Sequence, residues 1–394
     1  IETMKYNFDK VIDRSGTSAE KVEGLKHIWG RTDLIPLWVA DMDFATAPFV
    51  TDAIRKRCEN EVLGYTGKPD SYYNAIINWV KQRYDLIVTK EVINFVPGIV
   101  PGIGMAMNCF TQKGDKVMIQ PPVYHPFAWV TTRNERTLVI NPLKWENGMY
   151  RMDLDAFREQ IKGCKLFILC NPHNPGGVVW TEAELRAIAD ICYDEKVLVF
   201  SDEIHADLTL PPHTHRPFAT VSEKARMNSV TFMSPSKAFN MPGLSASHAL
   251  IFNEDLRKRF RIYMDAGELD MGHVFAFLSV EAAYSHGTEW LDQCLAYIQG
   301  NIDFVDEFLK KHAPKIKAIR PEASYLVWLD CRELELSQKD LNEFFVDKAH
   351  LALNDGEMFG KEGIGFMRLN VASPRCIIEK AMKQLADAYQ LYIK

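Results

Sequence analysis

The sequence predicts an α/β fold, in which a doubly wound and mostly parallel sheet is followed by a smaller α+β domain. The chain has 394 residues, too many for one compact core of ordinary size, so two domains are expected. Short apolar runs alternate with helical periodicity through most of the chain, which is typical of parallel strands joined by helices. After about residue 285 this alternation gives way to a more mixed order of elements.

The elements of the first part follow from periodicity and turn residues. Helices are predicted at residues 48–59 and 70–84 and from near residue 100, the first with proline in a tolerated first-turn position. Thr181-Glu182-Ala183-Glu184 is a capping box that opens a helix through Cys192. Buried strands are predicted for the apolar runs at residues 116–120, 138–141, 166–170, 197–201, 229–233 and 246–252.

The second part begins with an amphipathic helix predicted from residue 289 to about residue 312. A strand is expected around residues 325–329, a helix near 339–348, a strand around 366–370 and then a final helix. This order indicates a smaller α+β domain at the C-terminal end.

Composition and charge argue against several classes of function. The net charge of −6 gives no general attraction to phosphate backbones, and no basic run carries interleaved aromatics. There is no apolar run long enough to span a bilayer and no N-terminal secretion signal. The eight cysteines are scattered without zinc spacing, which suits a reducing compartment. We therefore expect a cytoplasmic protein without nucleic-acid, membrane or metal binding.

Lys237 is the first candidate for chemistry. The run Ser234-Pro235-Ser236-Lys237 follows an apolar strand and precedes a Gly/Pro turn. A lysine at the exit of a buried strand, among hydroxyls, can be partly desolvated and so become a nucleophilic amine. A surface loop lysine is the ordinary alternative.

Two further candidates follow other strands. Asp202 and Glu203 end the run 199–203, where an acid could hold a pyridine nitrogen, although a helix N-cap or a metal ligand is an alternative. Asn174 offers an amide that could bind a phenolate-like oxygen, although Asn-Pro and Gly-Gly also mark a tight turn.

The run Pro97-Gly98-Ile99-Val100-Pro101-Gly102-Ile103-Gly104 leads into a helix, whose free amides could bind an anion. It matches neither dinucleotide nor P-loop signatures. The spacing of the other candidates is more informative. Twenty-eight residues separate Asn174 from Asp202 and 35 separate Asp202 from Lys237, each the length of one helix-plus-strand unit. The three side chains are therefore expected at one edge of the sheet.

The order of these motifs resembles the fold-type-I pyridoxal-phosphate enzymes, the aspartate aminotransferase superfamily, over nearly the whole chain. The motifs in that order are the 97–104 loop, Tyr124, Asn174-Pro175, Asp202, Lys237 and Arg368. Four runs are similar to the MalY/PatB branch, whose members are carbon–sulfur β-lyases of the cystathionine β-lyase or cysteine-S-conjugate type. These runs are Trp38-Val39-Ala40-Asp41-Met42-Asp43-Phe44, Gly64-Tyr65, Ser201-Asp202-Glu203-Ile204-His205 and Lys237-Ala238-Phe239-Asn240-Met241-Pro242.

The resemblance implies a three-layer fold with pyridoxal 5'-phosphate as cofactor. Residues 1–45 would be an N-terminal arm and a segment joining the small domain, 46–285 the large cofactor-binding domain, and 286–394 the small domain. Lys237 would be the Schiff-base lysine and would then move the Cα proton of an amino-acid substrate. With Lys237, the implied catalytic residues are Asp202, at the pyridinium nitrogen, and Tyr124, stacked on the ring.

The resemblance also implies the remaining binding residues. Cofactor binding would involve Ile99, Val100, Tyr124, Asn174, Asp202, His205, Ser234, Ser236 and Lys237. Substrate binding would involve Arg368 as the carboxylate clamp, with Ala40 and Asn174 nearby. Tyr65 would reach the cofactor phosphate of the partner subunit, which implies a homodimer with shared active sites.

Two departures from the aminotransferase pattern favour β-elimination of sulfur amino acids. His205 stands where those enzymes usually have tyrosine, and Ser245 stands where they usually have a phosphate-binding arginine. A class I/II aminotransferase remains the alternative, because the same site removes the first proton in both reactions. A non-catalytic regulatory binder is a third interpretation, but it does not require the lysine, acid and arginine together. The pair His213 and His215 is interpreted as part of a solvated loop.

Overall fold

The computed structural model describes residues 5–394, so the first four residues of the predicted arm lie outside the described residues. Its main sheet has the strand order β1-β7-β6-β5-β4-β2-β3, and all strands except β7 run parallel. The strands are β1 (Ile93–Val96), β2 (Lys116–Ile119), β3 (Thr137–Ile140), β4 (Cys164–Cys170), β5 (Leu198–Asp202), β6 (Ser229–Met233) and β7 (Ser247–Leu250).

The predicted α/β class and six of these strands are confirmed, with small shifts of their ends. The strand β1, four residues long and directly after a 3₁₀ turn at Lys90–Val92, is not among the predicted strands. A buried run of only four residues, interrupted by the polar Asn94, cannot be distinguished from a buried turn by periodicity. The antiparallel strand β7 fills the gap between β1 and β6, pairing Ser247 with Val96 and His248 with Met233.

Helices cover both faces of this sheet and make up much of the remaining chain. The capping box is confirmed, because the Thr181 hydroxyl accepts a hydrogen bond from the Glu184 amide at 3.1 Å. The helices are Glu20–Trp29, Pro48–Cys58, Asp70–Tyr84, Ile99–Phe110, Pro126–Arg133, Leu154–Gln160, Glu182–Asp194, Glu223–Met227, Glu254–Asp265, Ala276–His312, Gln338–Glu343 and Arg375–Tyr392.

A second, antiparallel sheet occupies the C-terminal part, with the order β8-β9-β11-β10. Its strands are β8 (Lys317–Ile319), β9 (Leu326–Asp330), β10 (Asn354–Asp355) and β11 (Phe366–Asn370). The helix predicted near 339–348 is α-helical only over Gln338–Glu343 and continues as a π-helical turn over Phe344–Lys348. Smaller pairs join Ile35–Pro36 to Leu351–Ala352 and Lys144–Glu146 to Met149–Arg151.

The helix Ala276–His312 begins 13 residues earlier than predicted and spans the proposed domain boundary at residue 285. Its first turns are buried against the ring of Phe239, which an added Cβ at Gly287 would approach to 2.4 Å. A glycine within a buried apolar stretch weakens the helical pattern in the sequence, which explains the late start of the prediction. Within residues 5–394, no helix combines the length and the apolar character needed to cross a bilayer.

Candidate active site

A cavity of about 360 Å³ opens at the carboxyl edge of the main sheet, where β4, β5 and β6 end. Ligands of doubly wound folds bind at this edge. The structure brings ten of the predicted site residues to its walls: Ala40, Ile99, Val100, Tyr124, Asn174, Asp202, His205, Ser236, Lys237 and Arg368. Two others lie elsewhere, Ser234 behind the wall and Tyr65 on the surface of the chain.

Lys237 lies partly buried in the turn after β6, and its Nζ donates a hydrogen bond to the Ala40 carbonyl at 2.7 Å. Burial, with a smaller effect of the Arg368 charge, lowers the pKa of the Lys237 amine to about 8. At pH 7 about a tenth of this amine is therefore unprotonated and can act as a nucleophile.

Ser234 holds the turn that carries the lysine. Its hydroxyl donates to the Ala246 carbonyl at 2.8 Å and accepts from the Ser236 amide at 3.1 Å. The hydroxyl proton is therefore used within the protein, so the predicted phosphate contact of Ser234 remains a prediction. Ser236 lines the cavity itself, together with Ser247 at the start of β7 and Ser245 two residues before it.

Asp202 ends β5 and faces the cavity, where the Ile204 amide donates to its Oδ1 at 3.1 Å. Burial raises the pKa of Asp202 to about 7. A cationic ligand group beside this carboxylate would offset that desolvation and keep the side chain ionised.

The neighbouring acid Glu203 faces away from the cavity. Its carboxylate accepts hydrogen bonds from the Ser201 hydroxyl at 2.7 Å and the Phe218 amide at 3.1 Å, and His215 Nε2 lies 2.7 Å away. The interpretation of His215 as a solvated loop residue is therefore wrong, because this imidazole is buried against Glu203. A buried carboxylate needs such partners, and His215 is one of them.

His205 and Tyr124 lie on the cavity wall near these charges. Burial lowers the pKa of His205 to about 3, so the ring is neutral, and its buried Nδ1 has no hydrogen-bond partner among residues 5–394. Burial raises the pKa of Tyr124 to about 12, so the phenol keeps its proton. The Tyr124 amide donates to the Asn174 carbonyl at 3.0 Å, which ties these two candidates together.

Arg368 on β11 is buried at the opposite wall. Its Nη1 donates to Asn174 Oδ1 at 3.0 Å, and its Nη2 donates to Asn354 Oδ1 at 2.6 Å. Burial lowers its pKa to about 10, the Nε has no acceptor, and no carboxylate pairs with it among the described residues. A buried guanidinium held only by neutral groups is suited to bind a carboxylate ligand.

Three residues of the site have no clear signal in the sequence. Asn354 orients Arg368, and the Tyr325 hydroxyl donates to the Ala40 carbonyl at 2.9 Å. Asn370 Nδ2 donates to the carbonyls of Val39 at 2.9 Å and Asp41 at 2.7 Å. All three reach the site from the second sheet or from the residue just before it. They contact other protein groups, and none of them follows a strand of the main sheet.

Segment 38–44, which we call the strap, is held by side chains from both sheets. Tyr325, Asn370 and Arg368 bind its carbonyls from the second sheet. From the loop after β6, Lys237 binds Ala40, while Asn240 Nδ2 donates to the carbonyls of Met42 at 3.0 Å and Phe44 at 2.7 Å. The position of the Ala40 carbonyl is therefore closely determined.

The other end of the cavity is suited to bind an anion. The helix Ile99–Phe110 begins here, and the amides of Ile99 and Val100 in its first turn have no acceptors within the helix. Packing brings this turn close to β1, since an added Cβ at Gly102 would lie 2.9 Å from Val96 Cγ2. The cavity thus combines an anion site, a buried acid, an amine and an unpaired guanidinium. The described residues contain no cluster of His, Cys, Asp and Glu side chains that could hold a metal ion.

Comparisons with known proteins agree with this geometry. The family model for aminotransferase class I and II matches residues 32–385. Cystathionine beta-lyase PatB of Bacillus subtilis is 38% identical over 384 residues, which cover 97% of this chain and 99% of PatB.

Two solved structures are also similar. Cystalysin from Treponema denticola, which contains pyridoxal 5'-phosphate, superposes with a TM-score of 0.96 at 33% identity, covering 99% of this chain and 100% of cystalysin. The PLP-bound C–S lyase from Staphylococcus hominis gives a TM-score of 0.90 at 35% identity, with 98% of each chain covered. With a family model over most of its length and relatives this similar, the chain belongs to the class I and II aminotransferase family, in its MalY/PatB branch.

Proposed function

We propose that the protein is a pyridoxal-phosphate-dependent carbon–sulfur β-lyase. It acts on an amino acid that carries sulfur at Cβ and releases a thiol, pyruvate and ammonia with the uptake of one water. The observation that carries the proposal is the placement of the Lys237 amine and the unpaired Arg368 guanidinium in one cavity. The similarity to PatB and to the C–S lyase of Staphylococcus hominis supports the same reaction, and the similarity to cystalysin supports the cofactor.

The cavity fits the cofactor group by group. The free amides of Ile99 and Val100, with Ser236, would hold the phosphate. The buried carboxyl of Asp202 would hold the pyridine nitrogen in its protonated form, because a cation there removes the penalty of ionising the acid. Asn174 uses its Oδ1 for Arg368, which leaves its Nδ2 to donate to the ring oxygen.

When bound, pyridoxal phosphate supplies an electrophilic carbon for the substrate amine and a ring that accepts the electron pair released at Cα. Arg368 would hold the substrate carboxylate through its planar fork. Lys237 would accept the Cα proton, and the Ala40 carbonyl at 2.7 Å fixes the direction of its amine. The thiolate would then leave Cβ, and the remaining three-carbon fragment would take up one water to give pyruvate and ammonia.

The chain's own residues favour elimination over amino transfer. Ser245 lines the cavity where an aminotransferase has a phosphate-binding arginine, so the phosphate end carries less positive charge. His205 is neutral and buried with a free Nδ1, and gives the ring oxygen a different partner from a tyrosine hydroxyl. Both features match the lyase branch.

A partition experiment tests this function. Purified protein is incubated with cystathionine, with cysteine, and with amino acid and keto acid pairs. We expect pyruvate and thiol to form in a one-to-one ratio from the sulfur amino acids, with little amino-group exchange. Sustained transfer to a keto acid without thiol release would assign the chain to the aminotransferases instead.

Replacing Arg368 with lysine should weaken substrate use while leaving the cofactor bound. Lysine keeps the charge but loses the planar fork, so we expect kcat/KM for a sulfur amino acid to fall roughly 10- to 100-fold. Most of the change should appear in KM. The surface variant Arg332→Lys, whose arginine pairs with Asp330, is the matched control. An unchanged KM in Arg368→Lys would show that Arg368 does not bind the substrate carboxylate.

We also propose a homodimer with shared active sites. The side chain of Tyr65 is 99% exposed, and it does not line the cavity that contains Lys237 of the same chain. The large apolar side chains of Val62, Leu63 and Met271 are exposed near it. Exposed apolar patches of this kind commonly mark subunit contacts, which supports a role for Tyr65 at the cofactor phosphate of the partner subunit.

Complementation between two inactive variants tests the shared site. Tyr65→Ala and Lys237→Ala are dissociated, mixed equally and allowed to reassociate. Half of the dimers should be mixed and each should hold one intact site, so about a quarter of the wild-type activity should return. Activity no higher than the average of the two parents, with mixed dimers verified by mass, would show that Tyr65 serves its own subunit.

The domain division and the cellular location are also proposals. The division into 1–45, 46–285 and 286–394 is supported by the separate strand orders of the two sheets, although the helix Ala276–His312 is shared. A cytoplasmic location is supported by eight cysteines that are all free thiols, several of them buried in the core.

A further inference from the structure

A second cavity of about 320 Å³ lies directly beside the active-site cavity. The two cavities share Tyr124, His125 and Met358, so these side chains form the partition between them. The other walls come from the ends of β2 and β3, from the helix Pro126–Arg133, and from the turn at residues 357–362. Apart from Tyr124, no residue with a role in the proposed reaction lines this second cavity.

The second cavity gathers apolar side chains that remain open to solvent. Trp129 is 44% exposed, Met358 is 41% exposed and Ile140 is 38% exposed. Ala128 and Leu138 add further apolar surface. Large apolar side chains that stay exposed together around a concave site commonly mark a ligand-binding surface.

The partition is neutral and deformable. His125 packs its ring edge-on against Trp129, with centroids 4.6 Å apart, and against Phe359, with centroids 5.7 Å apart. Burial lowers the pKa of His125 to about 4, so the ring carries no charge near neutral pH. Met358 is unbranched, and its thioether can adapt to a neighbouring group at low cost. An apolar ligand group that lies against His125 and Met358 therefore desolvates no charge.

The contacts proposed in the active-site cavity determine which group of the substrate faces the partition. Of the groups on the substrate Cα, the carboxylate is directed to Arg368, the proton to Lys237 and the amine to the cofactor. The remaining group is Cβ with its sulfur, which is left to face the part of the cavity wall that these contacts do not use. His125 and Met358 belong to that wall.

On the basis of the proposed function, we propose that the second cavity binds the apolar substituent carried by the substrate sulfur. The favoured substrates are then cysteine S-conjugates with an uncharged aryl or aralkyl group. The charges at the mouth support this class, since Glu357 and Glu362 outnumber Lys361 and disfavour an anionic substituent. Ile140, Ala128 and Trp129 are thereby assigned to substrate specificity.

The test compares S-benzyl-L-cysteine with S-methyl-L-cysteine in variants that fill the cavity from two different walls. Ile140→Trp fills it from β3, and Ala128→Leu fills it from the helix Pro126–Arg133. The matched control is Ile262→Trp, at an isoleucine that is 71% exposed on the helix Glu254–Asp265, outside both cavities. Thiol release gives kcat/KM for each substrate, and thermal unfolding checks that each variant is folded.

We expect the benzyl-to-methyl ratio of kcat/KM to fall at least about tenfold in both filling variants and to stay constant in the control. An unchanged ratio in both, whether the two rates persist or decline together, overturns the inference and leaves the lyase function standing. If the wild type releases no thiol from either substrate but transfers amino groups, the proposed function fails and this inference fails with it.

Discussion

Lys237→Ala abolishes thiol release, with an expected fall in kcat of about 10⁴-fold. In the proposed function the same amine would attach the cofactor, be freed when the substrate binds and accept the Cα proton, so no second group would take over its role. Burial lowers its pKa to about 8, which keeps a reactive fraction of the amine at physiological pH. Single-turnover assays with the purified variant measure this loss.

Chemical trapping checks the same assignment without an activity assay. Borohydride reduction of the wild type, followed by peptide mapping, should place a pyridoxyl group on Lys237. Lys224→Ala is the matched control, because this lysine is partly exposed and paired with Asp194 at 3.2 Å. A pyridoxyl group on a different lysine, or full activity in Lys237→Ala, would contradict the assignment.

Asp202→Asn lowers kcat/KM by roughly 10²- to 10³-fold, the range expected when one buried electrostatic contact in an active site is lost. Asparagine has the same shape but no charge to keep the pyridine nitrogen protonated. Absorbance spectra should show bound cofactor in the variant, which separates this effect from a loss of binding. Glu203→Gln is the matched control: its acid faces His215 rather than the cavity, so we expect lower stability without this loss of turnover.

The cofactor-free form of Asp202→Asn should be more stable than the cofactor-free wild type at pH 8. Folding raises the pKa of Asp202 from 3.8 to about 7, so ionisation of this buried acid opposes folding above pH 7 and not below pH 4. The full penalty is roughly 4 kcal/mol. Urea unfolding should therefore show a larger gain for the variant at pH 8 than at pH 5. An equal gain at both pH values would indicate that the acid does not titrate in this range.

The sequence alone predicted the centre of the site because that centre is built on strand ends. Asn174, Asp202 and Lys237 follow β4, β5 and β6, and parallel strands bring their carboxyl ends to one edge. Turn residues and apolar runs are local signals, so the positions of these three residues could be worked out from spacing. The roles of Arg368 and Tyr124 came from the resemblance to a known family, and both residues line the cavity.

The supporting residues could not be predicted in the same way. Asn354 lies on a strand of two residues and contacts Arg368 across the second sheet, a pairing that no local pattern encodes. Tyr325 reads as an ordinary core aromatic, yet its hydroxyl binds the Ala40 carbonyl. His215 lies among prolines and was interpreted as solvated, because the buried partner Glu203 is twelve residues away along the chain. Long-range polar contacts require the folded structure.

The strap links Lys237, which follows a strand of the main sheet, to the second sheet. The Ala40 carbonyl accepts one hydrogen bond from the Tyr325 hydroxyl and another from the Lys237 amine. A sliding motion between the two sheets must lengthen one of these two hydrogen bonds. The position of the Lys237 amine therefore depends on how the two sheets are placed relative to each other. Substitutions far from the cavity that change this placement can alter the chemistry without contacting the substrate.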